Sequence, residues 1–371
     1  MIAKEYWRLW HFSKIGVMAL ALFAILSVFI SENFRVKREQ PYYKDKIQAS
    51  KLASLAFEIL QPEIKKKKKF ESKETDPAGS GLVGEFLTPV TSNSGSLSAK
   101  QTSINPNFAA VFIYFLKKAG LREGDTIAVA TTGSFPAVNI CLYAAIETLK
   151  LRPIVISSAS SSQYGANNPD MLWLDMENFL YLNRIFSTKS RFSSLGGIQD
   201  QAIGISAEGK RLLKEGIERN HISFLSSYGF SDSIQIRMNA YKTEANKSPL
   251  KLFVNIGGGT TIFGTSIGKQ VFRNGLLMGL PEDVDVPDSV IKEFLSKEIP
   301  VLNVIQIETM ARKFHLPIAP KVTPKAGEGK IFVQEEYNPW IVCPFIFILL
   351  GGLFVLTYGK KSSDLLPETI H

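Results

Sequence analysis

Ser134 stands in a turn between an apolar run and a helix-forming run, two residues before Pro136. Residues 126–130 read as a buried strand, residues 131–134 as a tight polar turn, and a helix starts near Pro136. Proline is favoured in a first helical turn, where its missing N–H would have no partner. A strand that delivers Gly and Ser to a helix N-terminus makes an anion pocket. Free N–H groups and the positive end of the helix dipole both point into it. A hydroxyl there could bind, position or attack a substrate. Ser134 could equally do no more than cap the helix, and both readings stay open.

Other polar loops add to this chemistry. Residues 158–170 offer Ser158, Ser160, Ser161, Ser162, Gln163, Asn167, Asn168 and Asp170. Residues 255–259 offer Asn255 and the glycines Gly257, Gly258 and Gly259, which let backbone approach a ligand closely. The first turn adds Thr131, Thr132 and Ser134. The expected ligand-binding set is Thr132, Gly133, Ser134, Asn139, Ser160, Ser161, Gln163, Asn167, Asn255, Gly257, Gly258 and Gly259. Neutral donors of this kind suit a carboxylate, an amide or a sugar better than a metal. For nucleophilic catalysis Ser134 needs a base within reach. No histidine lies on this rim by sequence, so Asp170, Asp175 or Glu177 would have to serve. A Ser-rich loop is also what a merely solvated loop looks like. The four histidines lack metal-ligand spacing, and the two cysteines, Cys141 and Cys343, are not placed to meet. No metal, cofactor or disulfide is expected. The stretch Val254-Asn-Ile-Gly-Gly-Gly-Thr-Thr is similar to a phosphate-binding turn of actin-like ATPases. Asn255 replaces the acid, and no partner Asp-x-Gly-Thr turn or Walker A motif accompanies it. Such an ATPase is a minor alternative.

The elements that must hold these loops alternate between strand and helix. Residues 152–157 and 251–256 read as further buried strands and 301–304 as a short one. Helices are expected over 43–64, 105–119, 136–149, 207–220, 288–297 and 305–314, an apolar segment over 171–186, and an ambiguous helix over 233–245. Such alternation predicts an α/β domain, a mostly parallel sheet with helices on both faces. In these sheets ligands bind beyond the carboxyl ends of the strands. The loops after residues 130, 157 and 256 should therefore converge on one rim.

Two apolar segments bracket the domain. Residues 15–30 carry no charge but are short for a full span, and Trp7 and Trp10 precede them as interfacial anchors. A signal peptide is the competing reading, but Ser31-Glu32-Asn33 is a poor cleavage site. Residues 340–358 are followed by Lys360-Lys361, which places the C-terminus in the cytoplasm. The expected organisation is an N-terminal anchor (1–34), a helix and Lys/Ser/Gly-rich linker (35–103) and the α/β domain (104–322). A linker (323–338), a transmembrane helix (339–359) and a tail (360–371) follow. The middle domain is expected outside the cytoplasm, in a cell-membrane protein with two spans. The net charge of +9 comes largely from membrane-proximal parts and the run 65–69. That run reads as a solvated or membrane-surface patch, without nucleic-acid signatures, and could also attract a polyanion.

Gly133-Ser-Phe-Pro-Ala-Val-Asn139, the loop from Ser158 to Pro169 with Trp173-Leu-Asp-Met-Glu177, Asn255-Ile-Gly-Gly-Gly259, Pro300-Val-Leu-Asn303 and Leu316-Pro-Ile-Ala-Pro320 carry a resemblance. Across residues 105–320 the chain resembles the membrane-bound poly-gamma-glutamate system protein family, which accompanies the synthase subunits of this capsular polymer. The resemblance implies a role in making, exporting or attaching poly-gamma-glutamate, with the polymer or its synthase subunits as partners. It supplies no reaction. Three readings follow: a polymer-binding component, a hydrolase or transferase acting on gamma-glutamyl amides through Ser134, and a structural membrane scaffold.

Overall fold

The computed structural model describes residues 13–67, 72–282 and 284–358. Trp7, Trp10, Lys68, Lys69, Lys360 and Lys361, used above to argue anchoring, charge and sidedness, lie outside the described residues. The chain divides into two units, residues 40–332 and a smaller one made of 1–39 with 333–371.

The elements in chain order are α1 (Lys14–Asn33), β1 (Val36–Glu39), α2 (Tyr43–Lys67), α3 (Leu97–Ser103), α4 (Phe108–Lys118), β2 (Thr126–Thr132), α5 (Pro136–Leu149) and β3 (Arg152–Ser158). Then come β4 (Asn167–Asn168), β5 (Met171–Leu172), α6 (Trp173–Leu182), β6 (Phe192–Ser194), α7 (Ala207–Arg219), β7 (Ser223–Phe224), α8 (Phe230–Ala245) and β8 (Leu250–Ile256). The last are α9 (Thr260–Phe263), α10 (Ser266–Val271), β9 (Gly275–Leu277), α11 (Val290–Leu295), β10 (Val301–Val304), α12 (Ile307–Lys313), β11 (Val333–Glu336) and α13 (Pro339–Tyr358).

In the small unit, α1 and α13 are long and apolar enough to cross a membrane. They run antiparallel: Gly16 lies against Leu356 and Gly352 against Leu20, and the Phe23 and Phe345 rings meet edge to face at 5.8 Å. β1 and β11 pair antiparallel, Val36 opposite Glu336.

The large unit is an α/β domain, as expected. Its seven-stranded sheet has the order β7-β6-β3-β2-β8-β10-β9, parallel except for β9. Every residue of β2 is buried. A strand covered on both faces is continuously apolar rather than alternating, which explains its Ile-Ala-Val-Ala run. α5 is buried almost all round because α2 and α4 cover its outer side. Ala49, Ala53 and Ala56 of α2, at helical spacing, are fully buried there. On the other face Phe253 of β8 stacks on Phe294 of α11 at 4.4 Å. Tyr241 of α8 meets Phe294 edge-on at 5.7 Å and donates its hydroxyl to Val129 O at 2.8 Å.

Three expectations need correction. Residues 187–206 contain β6 and extend the sheet, rather than forming only a loop. The apolar segment 171–186 is a short β4–β5 hairpin end followed by α6, which stops at Leu182. The segment read as linker is built into the domain from Ser72 onward. Its backbone pairs with the loop after β3: Gly84 N donates to Tyr164 O at 2.9 Å, Tyr164 N to Glu85 O at 2.8 Å, Ser92 N to Ser161 O at 2.8 Å and Gln163 N to Asn93 O at 3.0 Å. Gly84 is required for this approach, since a Cβ there would fall 1.8 Å from Gly165 O.

Candidate functional site

β2 sits at the point where the strand order reverses. β3 lies on one side of it, and the chain returns to place β8 on the other. Registers put Thr132 opposite Ser158 and Ala130 opposite Asn255. The loops leaving β2, β3, β8 and β10 therefore open at one edge, over the crevice that such a reversal creates. Two adjoining pockets of about 160 and 360 Å³ occupy that edge, and both are lined by Asn93, Ser134, Gly258 and Lys269.

Thr132, Ser134, Ser160, Gly257, Gly258 and Gly259 line this cleft, as the shared rim requires. Gly257 has φ +82°, and a Cβ on it would lie 2.4 Å from Thr132 Oγ1. The β8 turn can thus close on β2 only with glycine at this position. Other expected residues brace the walls rather than line them. Asn139 Nδ2 donates to Thr132 O at 2.9 Å, and Ser161 Oγ to Gly133 O at 3.0 Å. Gln163 Oε1 accepts from Gly95 N at 3.1 Å. Asn167 acts as a surrogate strand, accepting from Glu85 N at 3.0 Å and donating to Glu85 O at 2.7 Å. Asn255 Nδ2 donates to Gly257 O at 2.7 Å and to Asn303 Oδ1 at 3.0 Å, tying the glycine turn to β10.

Ser134 does not cap α5. The N-cap is Phe135, with no side-chain cap bond. Ser134 Oγ instead accepts from Ser162 N at 3.1 Å, so it joins the β2 turn to the β3 loop.

The acids expected to supply a base are elsewhere: Ser134 lines the cleft, whereas Asp170 and Asp175 do not. Asp170 and Asp175 line a separate depression with Arg219. Asp175 caps α6 by accepting from Leu172 N at 2.7 Å, and also pairs with Arg219 Nε at 2.7 Å. Glu177 is buried in a polar chain: Thr131 Oγ1 to Ser157 Oγ at 2.6 Å, Ser157 Oγ to Ser190 Oγ at 2.6 Å, Ser190 Oγ donating to Glu177 Oε1 at 2.8 Å. Tyr143 OH donates to the same oxygen. Among the described residues Glu177 Oε2 has no hydrogen-bond partner. Burial pushes the Glu177 carboxyl up to about 7, against the pull of the Tyr143 and Ser190 hydrogen bonds.

The residue that sequence reasoning missed is Lys100. Ser96 caps α3 by accepting from Ala99 N at 3.2 Å, and that helix carries Lys100 into the wall of the larger pocket. Only 2% of Lys100 is exposed. Its Nζ donates to Ser162 Oγ at 2.8 Å and to Ser134 O, and lies 3.9 Å from the centre of the Phe135 ring. Burial alone lowers the ammonium to about 7. The available signal was Ser96-Leu-Ser-Ala-Lys, a capped helix start inside a segment whose composition said linker. Beneath the smaller pocket, Arg237 of α8 and Asp200 form a buried ion pair, Nε to Oδ2 at 2.5 Å. Arg237 also donates to Ser194 Oγ at 2.9 Å and to Ser158 Oγ at 3.3 Å. Comparison with family models, with curated proteins and with solved structures finds no match to this chain.

Proposed function

We propose that this chain is a membrane-anchored component of poly-gamma-glutamate production whose domain binds the polymer in the cleft between the β2 and β8 loops. The observation that carries this reading is the charge of that cleft. Lys269 lines it, Lys100 adds a second cation below about pH 7, and, among the described residues, no aspartate or glutamate lines it. A cleft of one sign, rich in hydroxyl and amide donors, favours a chain of free carboxylates by steering and by hydrogen bonding. The motif resemblance points to the same ligand. Two helices, α1 and α13, long and apolar enough to cross a membrane support the anchored reading, and Lys360-Lys361 after the second supports a domain outside the cytoplasm.

The test is titration of the full chain, in detergent, with fluorescent poly-gamma-glutamate and with the same polymer methyl-esterified. Binding should fall steeply with salt, be lost on esterification, and weaken several-fold in Lys269→Gln. Equal binding of the esterified polymer, or an unchanged Lys269→Gln variant, refutes the reading.

A further inference from the structure

We propose that Ser162 is a nucleophile and Lys100 its general base, which makes the cleft an amide-cleaving Ser–Lys site. The substrate class, gamma-linked glutamyl amides, rests on the polymer reading above; the dyad itself does not.

The geometry favours Ser162 over Ser134. Ser162 Oγ lies 2.8 Å from Lys100 Nζ, within the reach that activation of a nucleophile needs. Its backbone is held on both sides, Ser162 N donating to Ser134 Oγ at 3.1 Å and Ser162 O accepting from Ser161 Oγ at 2.9 Å. Ser134 Oγ, in contrast, accepts from Ser162 N, and among the described residues no titratable side chain bonds to it. Lys100 is oriented as well as buried: the Ser134 carbonyl takes one of its protons and the Phe135 ring covers it.

The groups facing Lys100 are uncharged: the Ser134 carbonyl, the Ser162 hydroxyl and the Phe135 ring. Lys269 is the other ionisable group lining the larger pocket. α12, which packs against α3, carries Glu308, Arg312 and Lys313, of which Glu308 and Arg312 pair with each other at 3.8 Å. With the ammonium lowered to about 7, a large share of the amine is free to accept a proton at neutral pH.

The step balances as follows. Ser162 Oγ attacks the amide carbonyl carbon while its proton passes to the Lys100 amine. The tetrahedral intermediate collapses, the C–N bond breaks, and the Lys100 ammonium gives the proton to the leaving amine. Water then attacks the Ser162 ester, again losing a proton to Lys100. A carboxylic acid is released, and Ser162 regains its hydrogen. One water is consumed for each amide cut.

The experiment uses the full chain in detergent and a fluorophosphonate, from whose phosphorus an activated serine displaces fluoride. Intact mass and peptide mapping read the site; labelling rates are taken from pH 5 to 9. The expected result is one adduct, on Ser162, with a rate that rises with pH and is half-maximal near 7. Ser162→Ala should abolish it, Lys100→Met should slow it by about 100-fold, and Ser134→Ala should still label. Circular dichroism checks each fold. If Lys100→Met fails to fold, the wild-type pH profile and the mapped site decide. No adduct, an adduct on Ser134, a flat pH profile, or a folded Lys100→Met that labels at the wild-type rate overturns the dyad. Polymer binding is measured in parallel on Ser162→Ala. Binding without any adduct removes the dyad and spares the polymer reading. An adduct without polymer binding does the reverse.

Discussion

Glu177→Gln should make this protein more stable at pH 8 and leave it nearly unchanged at pH 4. The carboxyl is fully buried, and among the described residues its Oε2 has no hydrogen-bond partner. Ionised, it would hold a buried charge that the Tyr143 and Ser190 hydrogen bonds offset only in part; protonated, it remains neutral and still accepts from both. Its pKa rises from 4.5 to about 7 in the folded state. Below 4.5 the folded and unfolded chains both hold the proton, and the contribution of this group is fully present. Between 4.5 and 7 the folded state holds more protons than the unfolded one, so stability falls as pH rises. A shift of this size corresponds to about 3 kcal/mol, or roughly 6 °C in the unfolding midpoint of a domain this large. Lys100 acts in the opposite sense over the next window. Its pKa falls from 10.5 to about 7 on folding, so its contribution is present above 10.5 and is lost as pH falls through 7. Together the two groups place a stability minimum near neutral pH. The assay is thermal unfolding of the full chain in detergent from pH 4 to 10, for the wild type and Glu177→Gln. The variant should lose the decline between 4.5 and 7. A wild-type midpoint that rises across that window, or a variant with the same slope as the wild type, refutes the reasoning.

Arg237→Met should cost about 3–5 kcal/mol in a denaturant titration, because it leaves Asp200 buried without its cation. Adding Asp200→Leu should restore most of that loss. Gly257→Ala should cost about 1–2 kcal/mol through its left-handed backbone, with more from the Thr132 contact, and should weaken polymer binding. Unaltered stability would contradict the turn geometry. For sidedness, Lys73→Cys in a Cys141→Ala, Cys343→Ala background should react with an impermeant maleimide on intact cells. Labelling only after permeabilisation would put the domain in the cytoplasm.

The central βαβ unit and the strands β8 and β10 beyond it are legible because their signals are local. An apolar run, a Gly-Ser turn and a proline at the helix start identify β2 and α5 without reference to the rest of the chain. The convergence of strand-end loops follows from parallelism alone, which is why Thr132, Ser134 and the Gly257–Gly259 turn were found. What failed was anything that depends on distant partners. Residues 84–93 look like linker because half of their pairing belongs to the loop some 70–80 residues later, as Ser92 N to Ser161 O shows. Lys100 is hidden for the same reason: its burial comes from a loop and a turn that composition cannot see. Asp175 and Glu177 show the opposite error. An acid near a helix start has the same letter whether it caps, pairs with Arg219 or reacts, and two positions along a helix separate a half-buried ion pair from a fully buried carboxyl. β6 and β7 are too short for any periodicity to register.

The antiparallel association of α1 with α13 also constrains how the chain is made. Among the described elements α1 leaves the ribosome first and α13 last, and at cellular elongation rates the delay is on the order of tens of seconds. Throughout that interval α1 has no α13 to pair with. The intervening domain has time to fold while tethered by one helix, since domains of modest size fold within seconds or less. Folding brings its own two ends together, Gln40 N donating to Phe332 O at 2.8 Å. When α13 emerges, the helices are then joined by a short effective loop rather than by the whole intervening chain, and the entropy of closing the pair falls accordingly. A substitution that slows folding of the domain should therefore appear first as a defect in the pairing of α1 with α13, before any change at the cleft is measurable.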